Sequence, residues 1–281
     1  MMRIPTSMVV WLVAIAGLLG VALLSGSVEP SWWLLGLIAL CFFCELMDSS
    51  LGMGFGTTLT PVLLIAGYDP LQLVPTILIS EFLSGFASFF FHAEAGNVSM
   101  KRGSIHIRVA ATLALFSIIG VVAGVQLALN ISKISLTRLI GVVILVAGIA
   151  ILAMGKRQFR YRHWKVALLG LVASFNKAVS GGGYGPLMTS GQILSGVDGK
   201  AAIGITSFAE GFTCLGGAAM FLLLGQGIEI ELLIPVVAGA LFSVPFSAQI
   251  VHLTREDLIR KIIAGLTLLL GILTLGRTFV A

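Results

Sequence analysis

The chain has 281 residues, of which 58% are hydrophobic and 10% are charged, and its mean hydropathy is +1.08. Soluble domains carry about 25% charged residues, so this composition excludes a soluble globular protein and predicts an integral membrane protein in a lipid bilayer. The net charge of +5 is typical of basic cytoplasmic loops, and nucleic acid is not an expected partner. About 20 apolar residues span a bilayer, so the length allows roughly eight to ten spans.

The first apolar run covers residues 8–26 and follows Arg3. A cleaved signal peptide competes with a retained helix here, but the run is long for a signal peptide and ALLSGS is a poor cleavage site. We therefore predict a transmembrane helix within an N-terminal segment of residues 1–30.

Apolar runs separated by short polar turns predict the remaining helices, and residues 155–165 (GKRQFRYRHWK) form the most basic stretch. That stretch predicts a cytoplasmic linker between a first repeat, 31–154, and a second repeat, 166–281. In the span 105–129, Gly120 and Gly124 have the spacing of closely packed membrane helices. The predicted helices after the first are 31–50, 57–68, 71–91, 105–129, 136–154, 166–180, 186–195, 201–224, 232–252 and 262–280.

Two glycine-rich stretches interrupt this pattern: DSSLGMGFGTTLTPVLLIAG at 48–67 and FNKAVSGGGYGPLMTSGQILSG at 175–196. Glycine and proline destabilise helices, and irregular backbone within a membrane is tolerated only where protein buries it or water reaches it. The second stretch predicts a helix that ends near Ser180 and a half-helix that begins at Pro186, since proline suits a first helical turn.

The two glycine-rich stretches align without gaps when Gly52 is placed on Gly181, an offset of 129 positions. Chance matches of glycine are common, but acidic matches at the same offset are not. We interpret the pattern as an internal repeat. The further pairs at this offset are Gly67 with Gly196, Asp69 with Asp198, and Glu81 with Glu210.

The charge bias of the loops predicts the topology. Placing the basic loops 93–108, 155–165 and 253–261 in the cytoplasm, and 226–231 outside, makes each glycine-rich element a hairpin followed by three full spans. Three is odd, so the halves are inverted. The predicted fold is an all-α polytopic membrane protein with two inverted-topology repeats whose paired broken or re-entrant helices meet near the midplane. The N-terminus is predicted to be cytoplasmic and the C-terminus external.

Half-helix N-termini present unpaired N–H groups and a partial positive charge, so two of them near the midplane predict a site for a small anion. Lys177 is the most membrane-buried basic residue, and a charge at that depth is usually functional. The predicted substrate-binding residues are Gly52, Met53, Gly54, Phe55, Gly56, Thr57, Asn176, Lys177, Ser180, Gly181, Gly182, Gly183, Tyr184 and Gly185.

Other roles compete with this one. The glycines fit close helix packing as well as ligand access, and Lys177 is alternatively a structural partner of Asp48, its equivalent in the repeat. Glu81 and Glu210 are candidates for proton coupling, as is Asp48, or they hydrogen-bond the backbone of the broken helices.

No cofactor or metal site is predicted. Three cysteines lie in apolar segments and are expected to be buried core residues, and the four histidines fall near predicted loops without forming a ligand cluster. The sequence shows no membrane-embedded nucleophile–base pair, so an enzyme is not predicted. The cysteines are Cys41, Cys44 and Cys214, and the histidines are His92, His106, His163 and His252.

At the two glycine-rich loops the sequence resembles the sulfite exporter TauE/SafE family, also called the toluene sulfonate uptake permease family. The resemblance rests on Gly52 to Gly56 and Pro61, on Ser180 to Pro186, on Gly67 and Gly196, and on the duplicated layout. It covers nearly the whole chain after residue 30. Met53 departs from a full glycine run, which leaves open whether both halves contact the ligand equally.

The resemblance implies a bacterial inner-membrane carrier with two inverted halves that moves sulfite, sulfonates or related sulfur-containing anions. It leads us to expect a secondary transporter that exports its anion by alternating access. Uptake of another small organic or inorganic anion, or a non-transporting membrane scaffold, remain the alternatives.

Overall fold

The computed structural model of the chain describes residues 6–26, 30–99, 105–153, 163–194, 197–250 and 256–280. Within these ranges the chain is all-helical and contains no strand. The helices are α1 (Thr6–Leu24), α2 (Trp32–Leu51), α3 (Phe55–Ala66), α4 (Pro70–Glu94), α5 (Ile105–Asn130), α6 (Lys133–Ala153), α7 (His163–Ser180), α8 (Tyr184–Leu194), α9 (Gly199–Leu223), α10 (Ile230–Ile250) and α11 (Glu256–Val280).

Eight of the described helices are long and apolar enough to cross a membrane. They are α1, α2, α4, α5, α6, α9, α10 and α11, whereas α3 and the apolar part of α7 are shorter. The prediction of a polytopic helical membrane protein is therefore confirmed. The expected start of the last half-helix at Pro186 is wrong by two residues, because α8 begins at Tyr184 after a turn of only three glycines.

The centre of the bundle is an antiparallel pair, α4 and α9. A Cβ atom on Gly85 would lie 2.8 Å from the carbonyl oxygen of Ser207, and one on Gly217 would lie 2.9 Å from Leu78. Small residues therefore set how closely these helices approach. The α6–α11 pair is also antiparallel, with Gly141 against Leu275 and Gly271 against Leu145.

Two further pairs run parallel. In α5, Gly120 lies on Ser174 of α7, and a Cβ on Gly124 would lie 2.8 Å from Ala178, so the expected packing role of these glycines is confirmed. In α10, Gly239 lies on Cys41 of α2, and the Ser50 hydroxyl donates to the Ser247 carbonyl further along both helices.

Each short helix leads into a long one through an aspartate cap. Asp69 Oδ1 accepts from Leu71 N at 3.0 Å at the start of α4, and Asp198 Oδ2 accepts from Lys200 N at 3.1 Å at the start of α9. The two aspartates are 129 positions apart, the offset that aligns the two glycine-rich stretches, and their shared role is helix N-capping.

The remaining predictions have mixed outcomes. All three cysteines are free and buried, as expected. His92 is not a loop residue but is buried in α4. Of the predicted linker 155–165, residues 155–162 lie outside the described residues and α7 begins at His163, while Gly196 of the second glycine-rich stretch also lies outside them.

Candidate functional site

The first break joins α2 to α3. Gly52, at φ 70°, caps α2 and donates its N–H to Asp48 O at 2.6 Å, and Gly54 has φ 136°, so both positions favour glycine. Asp48 also turns its side chain to the next helix, where Oδ1 accepts from Phe55 N at 3.3 Å. One N–H at the N-terminus of α3 is thus paired with a carboxylate from the preceding helix.

The second break joins α7 to α8. Gly181 and Gly183 have φ of 67° and 78°. The Ser180 hydroxyl donates to Asn176 O at 2.8 Å and accepts from Gly182 N at 3.1 Å. The first N–H groups of a helix lack intrahelical partners, and within the described residues no partner is found for the N–H of Gly183, Tyr184 or Gly185. In the described part of the chain no carboxylate caps this N-terminus.

The two breaks cross in direct backbone contact. A Cβ on Gly182 would lie 2.6 Å from the carbonyl carbon of Gly56 and 2.7 Å from Thr57 N, distances that real Cβ atoms do not show. A Cβ on Gly56 would overlap the carbonyl oxygen of Gly181, and one on Gly185 would overlap that of Gly52. Only glycine permits this approach, and it brings the starts of α3 and α8 together.

Beside the crossing lies a buried ion-pair cluster. The Lys177 ammonium, in the last turn of α7, contacts Glu81 Oε2 of α4 and lies 2.7 Å from Glu210 Oε1 of α9. Carboxylate oxygens of Asp48, Glu81 and Glu210 lie within 4.8 Å of one another. Lys177, Glu81 and Glu210 are buried, and Asp48 is half-buried. The cluster therefore holds three carboxylates around one ammonium.

This geometry corrects two sequence-based alternatives. Lys177 forms its ion pairs with Glu81 and Glu210, not with Asp48, which lies 129 positions earlier in the chain. The two glutamates, in turn, contact the lysine side chain rather than the backbone of a broken helix. Three clustered carboxylates are also ligands that hard cations prefer, but here the lysine ammonium already contacts two of them.

The hydroxyl groups predicted to bind substrate are engaged with other protein groups in the structure. Thr57 Oγ1 donates to Gly54 O at 3.3 Å, and Tyr184 is fully buried with its hydroxyl 3.3 Å from Ser117 Oγ of α5. Met53 and Phe55 pack in hydrophobic clusters, and Asn176 is half-buried. What these residues bring to the crossing is mainly their backbone.

Sequence reasoning missed a hydrogen-bond chain between the halves. Gln192 Nε2 donates to Thr206 Oγ1 at 2.8 Å, Thr206 and Thr189 hydroxyls lie 3.1 Å apart, and Thr189 Oγ1 donates to Gly52 O at 3.2 Å. The chain ties α8 and α9 to the first break. A glutamine within an apolar half-helix was the available signal, because polar side chains in membranes are costly.

A second missed network lies in the last turns of α2, on the side that faces the end of α4. Glu45 Oε1 accepts from Ser49 Oγ at 2.5 Å, and His92 Nε2 lies 2.7 Å from Ser49 O. Asn97 Nδ2 lies 3.0 Å from His92 Nδ1. This network fixes the end of α4 against α2 and lies outside the Lys177 ion pairs.

Apolar spanning helices around two broken helices and a buried ion cluster define a polytopic membrane protein with an internal polar site. The family model for the sulfite exporter TauE/SafE matches residues 37–274, most of the chain. The chain therefore belongs to the sulfite exporter TauE/SafE family.

The "Probable membrane transporter protein YtnM" of Bacillus subtilis (strain 168) is similar to this chain. It is 27% identical over 249 residues, which cover 84% of this chain and 81% of that protein. No solved structure matches the chain. The family and this relative indicate a membrane transporter rather than an enzyme.

Proposed function

We propose that the protein is a secondary transporter of a small sulfur-containing anion, sulfite or an organosulfonate. It works by alternating access around the crossing of the two breaks and exports its anion across the bacterial inner membrane. The sulfur and the direction come from the family's description as a sulfite exporter, and the anion site comes from the helix N-termini.

The contacts at the crossing support two inverted repeats, 31–154 and 166–281. The contact of Gly56 with Gly181 is matched by that of Gly185 with Gly52, and the contact of Gly181 with Thr60 is matched by that of Gly52 with Thr189. Each pair becomes the other under the offset of 129 positions. Equivalent helices α4 and α9 run antiparallel, as inversion requires.

The anion is assigned to the second break rather than to both. Asp48 already occupies the N-terminus of α3, and its negative charge opposes an anion there. At α8, the unpaired N–H groups of Gly183, Tyr184 and Gly185 combine with the partial positive charge of a helix N-terminus. Lys177, one turn before this break, supplies the full positive charge.

The observation that carries the proposal is the glycine-on-glycine crossing of two half-helix N-termini beside a buried lysine. Transporters bind anions at the ends of broken helices near the midplane, and a membrane-buried charge marks a functional site. An N-terminus in the cytoplasm and a C-terminus outside, as the loop charges predict, complete the proposed arrangement.

The test is uptake of labelled sulfite, thiosulfate and ethanesulfonate into proteoliposomes. Lys177→Ala is combined with Glu210→Gln, so that the cluster loses one positive and one negative charge together. Loss of a hydrogen bond from a charged donor costs about 1.5–3 kcal/mol, so we expect at least roughly tenfold weaker apparent affinity for the transported anion.

The matched control is Lys133→Ala with Asp69→Asn, which removes the exposed ion pair of 2.5 Å between α6 and α4. We expect its affinity to equal that of the native protein. Native protein that moves none of the three anions faster than empty vesicles would count against the transport proposal. Equal affinity of the Lys177 variant would remove this lysine from the site.

A further inference from the structure

The charges around Lys177 do not balance. Helix α2 contributes Asp48, and Glu45 lies one turn away, bonded to Ser49. Helix α4 contributes Glu81. Helix α9 contributes Glu210 and the buried thiol of Cys214. The start of α8 brings Tyr184, whose hydroxyl turns to Ser117 of α5. Among the described residues, Lys177 is the one cation in contact with these groups.

Three ionised carboxylates against one ammonium leave an excess of two negative charges inside the bundle. Each uncompensated buried ion costs several kcal/mol, and the excess repels an anion approaching the second break. Protons taken up by the carboxylates remove both penalties. Glu81 Oε1 is available for one, because it is buried and has no hydrogen-bond partner among the described residues.

Lys177 cannot stay with the two glutamates and also turn to an anion at the second break. Its ammonium has three N–H donors, and the contacts with Glu81 and Glu210 direct it toward α4 and α9. A protonated carboxyl group attracts the ammonium far less than a carboxylate does. Protonation of these glutamates therefore frees Lys177 to pair with an anion held by the unpaired N–H groups of the second break.

We propose that the anion and protons bind together and cross the membrane in the same direction, with Lys177 held either by the carboxylates or by the anion. This inference rests on the proposed function and names its coupling ion. Protons enter from water, protonate Glu81 or Glu210 as the anion takes Lys177, and return to water on the other side as the anion leaves. Export then draws on the anion's own outward gradient, and an inward proton gradient drives uptake.

The test records anion and proton movement in the same proteoliposomes. Ethanesulfonate is the first probe because, unlike sulfite, it carries no titrating proton near neutral pH; a pH dye reports the lumen, and a potassium ionophore clamps the voltage. We expect the lumen to acidify as the anion enters. An acidic exterior should concentrate the anion inside by several-fold.

Lumenal alkalinisation during anion entry would show exchange of the anion for protons and overturn the proposal. A lumen of constant pH, with no effect of a proton gradient on the flux, would show an uncoupled carrier and overturn it as well. Absence of anion flux with all three anions is a separate result, because it defeats the transport proposal on which this one depends.

The glutamates are tested by the ratio of protons to anions moved. Binding linked to one proton weakens by up to about tenfold per pH unit as pH rises. We expect this dependence and the proton-to-anion ratio to fall in Glu81→Gln and in Glu210→Gln. Glu94→Gln is the control from the same helix α4, since Glu94 is exposed and, among the described residues, accepts from Ser7 near the N-terminus.

The expected result is a native ratio in Glu94→Gln and a lower ratio in both cluster variants. Unchanged ratios in both cluster variants would overturn the assignment of the coupled protons to these glutamates. Binding of ethanesulfonate to the protein in detergent, measured as a function of pH, gives a second readout for a variant that folds but reconstitutes poorly.

Discussion

At the first break the Asp48 carboxylate accepts from one N–H at the start of the half-helix, whereas the second break has Lys177 at the matching position. Among the described residues, no carboxylate pairs with the N–H groups of the second break. Asp48 and Lys177 are separated by the repeat offset of 129 positions. The two breaks that follow these residues make matched glycine contacts. Two breaks of similar backbone shape thus differ in charge, and in the proposed function this difference confines the anion to the second break.

The same contrast extends to the half-helices. Thr189 donates to Gly52 O and belongs to a chain with Thr206 and Gln192. Its equivalent Thr60 has an unpartnered hydroxyl in the described structure. The positions equivalent to Gln192 and Thr206 are Leu63 and Ile77, both fully buried in a hydrophobic cluster. One half is tied to the opposite break by polar groups, and the other half packs against it with apolar groups.

The largest loss of stability is expected at the glycine crossing, where the two breaks are alike. Gly56→Ala places a methyl group into the Gly181 carbonyl. The nearest atoms are all backbone atoms of Gly181 and Gly182, so no flexible side chain can move aside. Overpacking costs about 1–3 kcal/mol and occasionally more, and we expect the upper end. Thermal unfolding in detergent measures it.

Gly36→Ala in α2 is the control, since no atom lies within 4 Å of the added methyl group. Alanine is favoured over glycine in a helix by about 1 kcal/mol, so this variant should be as stable as the native protein or more so. Equal melting temperatures for Gly56→Ala and Gly36→Ala would contradict the glycine crossing.

A loss of stability of intermediate size is expected at Thr189 but not at Thr60, the matching position in the first half. Thr189→Val removes a buried hydroxyl that bonds Gly52 O and Thr206, and leaving buried partners unsatisfied costs about 1–3 kcal/mol. Thr60→Val removes a hydroxyl without a partner in the described structure and should be neutral or slightly stabilising. Chemical unfolding of the two variants provides the comparison, and equal losses would erase the proposed asymmetry.

The smallest loss of stability is expected on removal of an aspartate N-cap, and it should be the same in both halves. Asp69→Ala and Asp198→Ala each remove the N-cap of a long helix, which costs about 1 kcal/mol. The additional Lys133 ion pair of Asp69 involves a lysine side chain that is 63% exposed and adds about 0–1 kcal/mol. Unfolding free energies that differ by more than that margin would show that the two caps are not equivalent.

The sequence by itself determined the membrane class, the order of the helices and the places where two of them break. These properties depend on local composition: apolar length defines a span, and closely spaced glycines interrupt it. The offset of 129 positions paired Glu81 with Glu210, and the apolar surroundings of Lys177 predicted a buried charge; all three side chains are buried in the structure.

Only the tertiary structure decided which of these groups meet. Lys177 finds its partners on α4 and α9 instead of the equivalent Asp48, and Thr189 reaches across to Gly52. A helix that is apolar on all sides has no hydrophobic stripe to reveal its packing face. The rotation of each helix, and therefore the identity of each polar partner, is set by close backbone contacts such as those of Gly56 and Gly182.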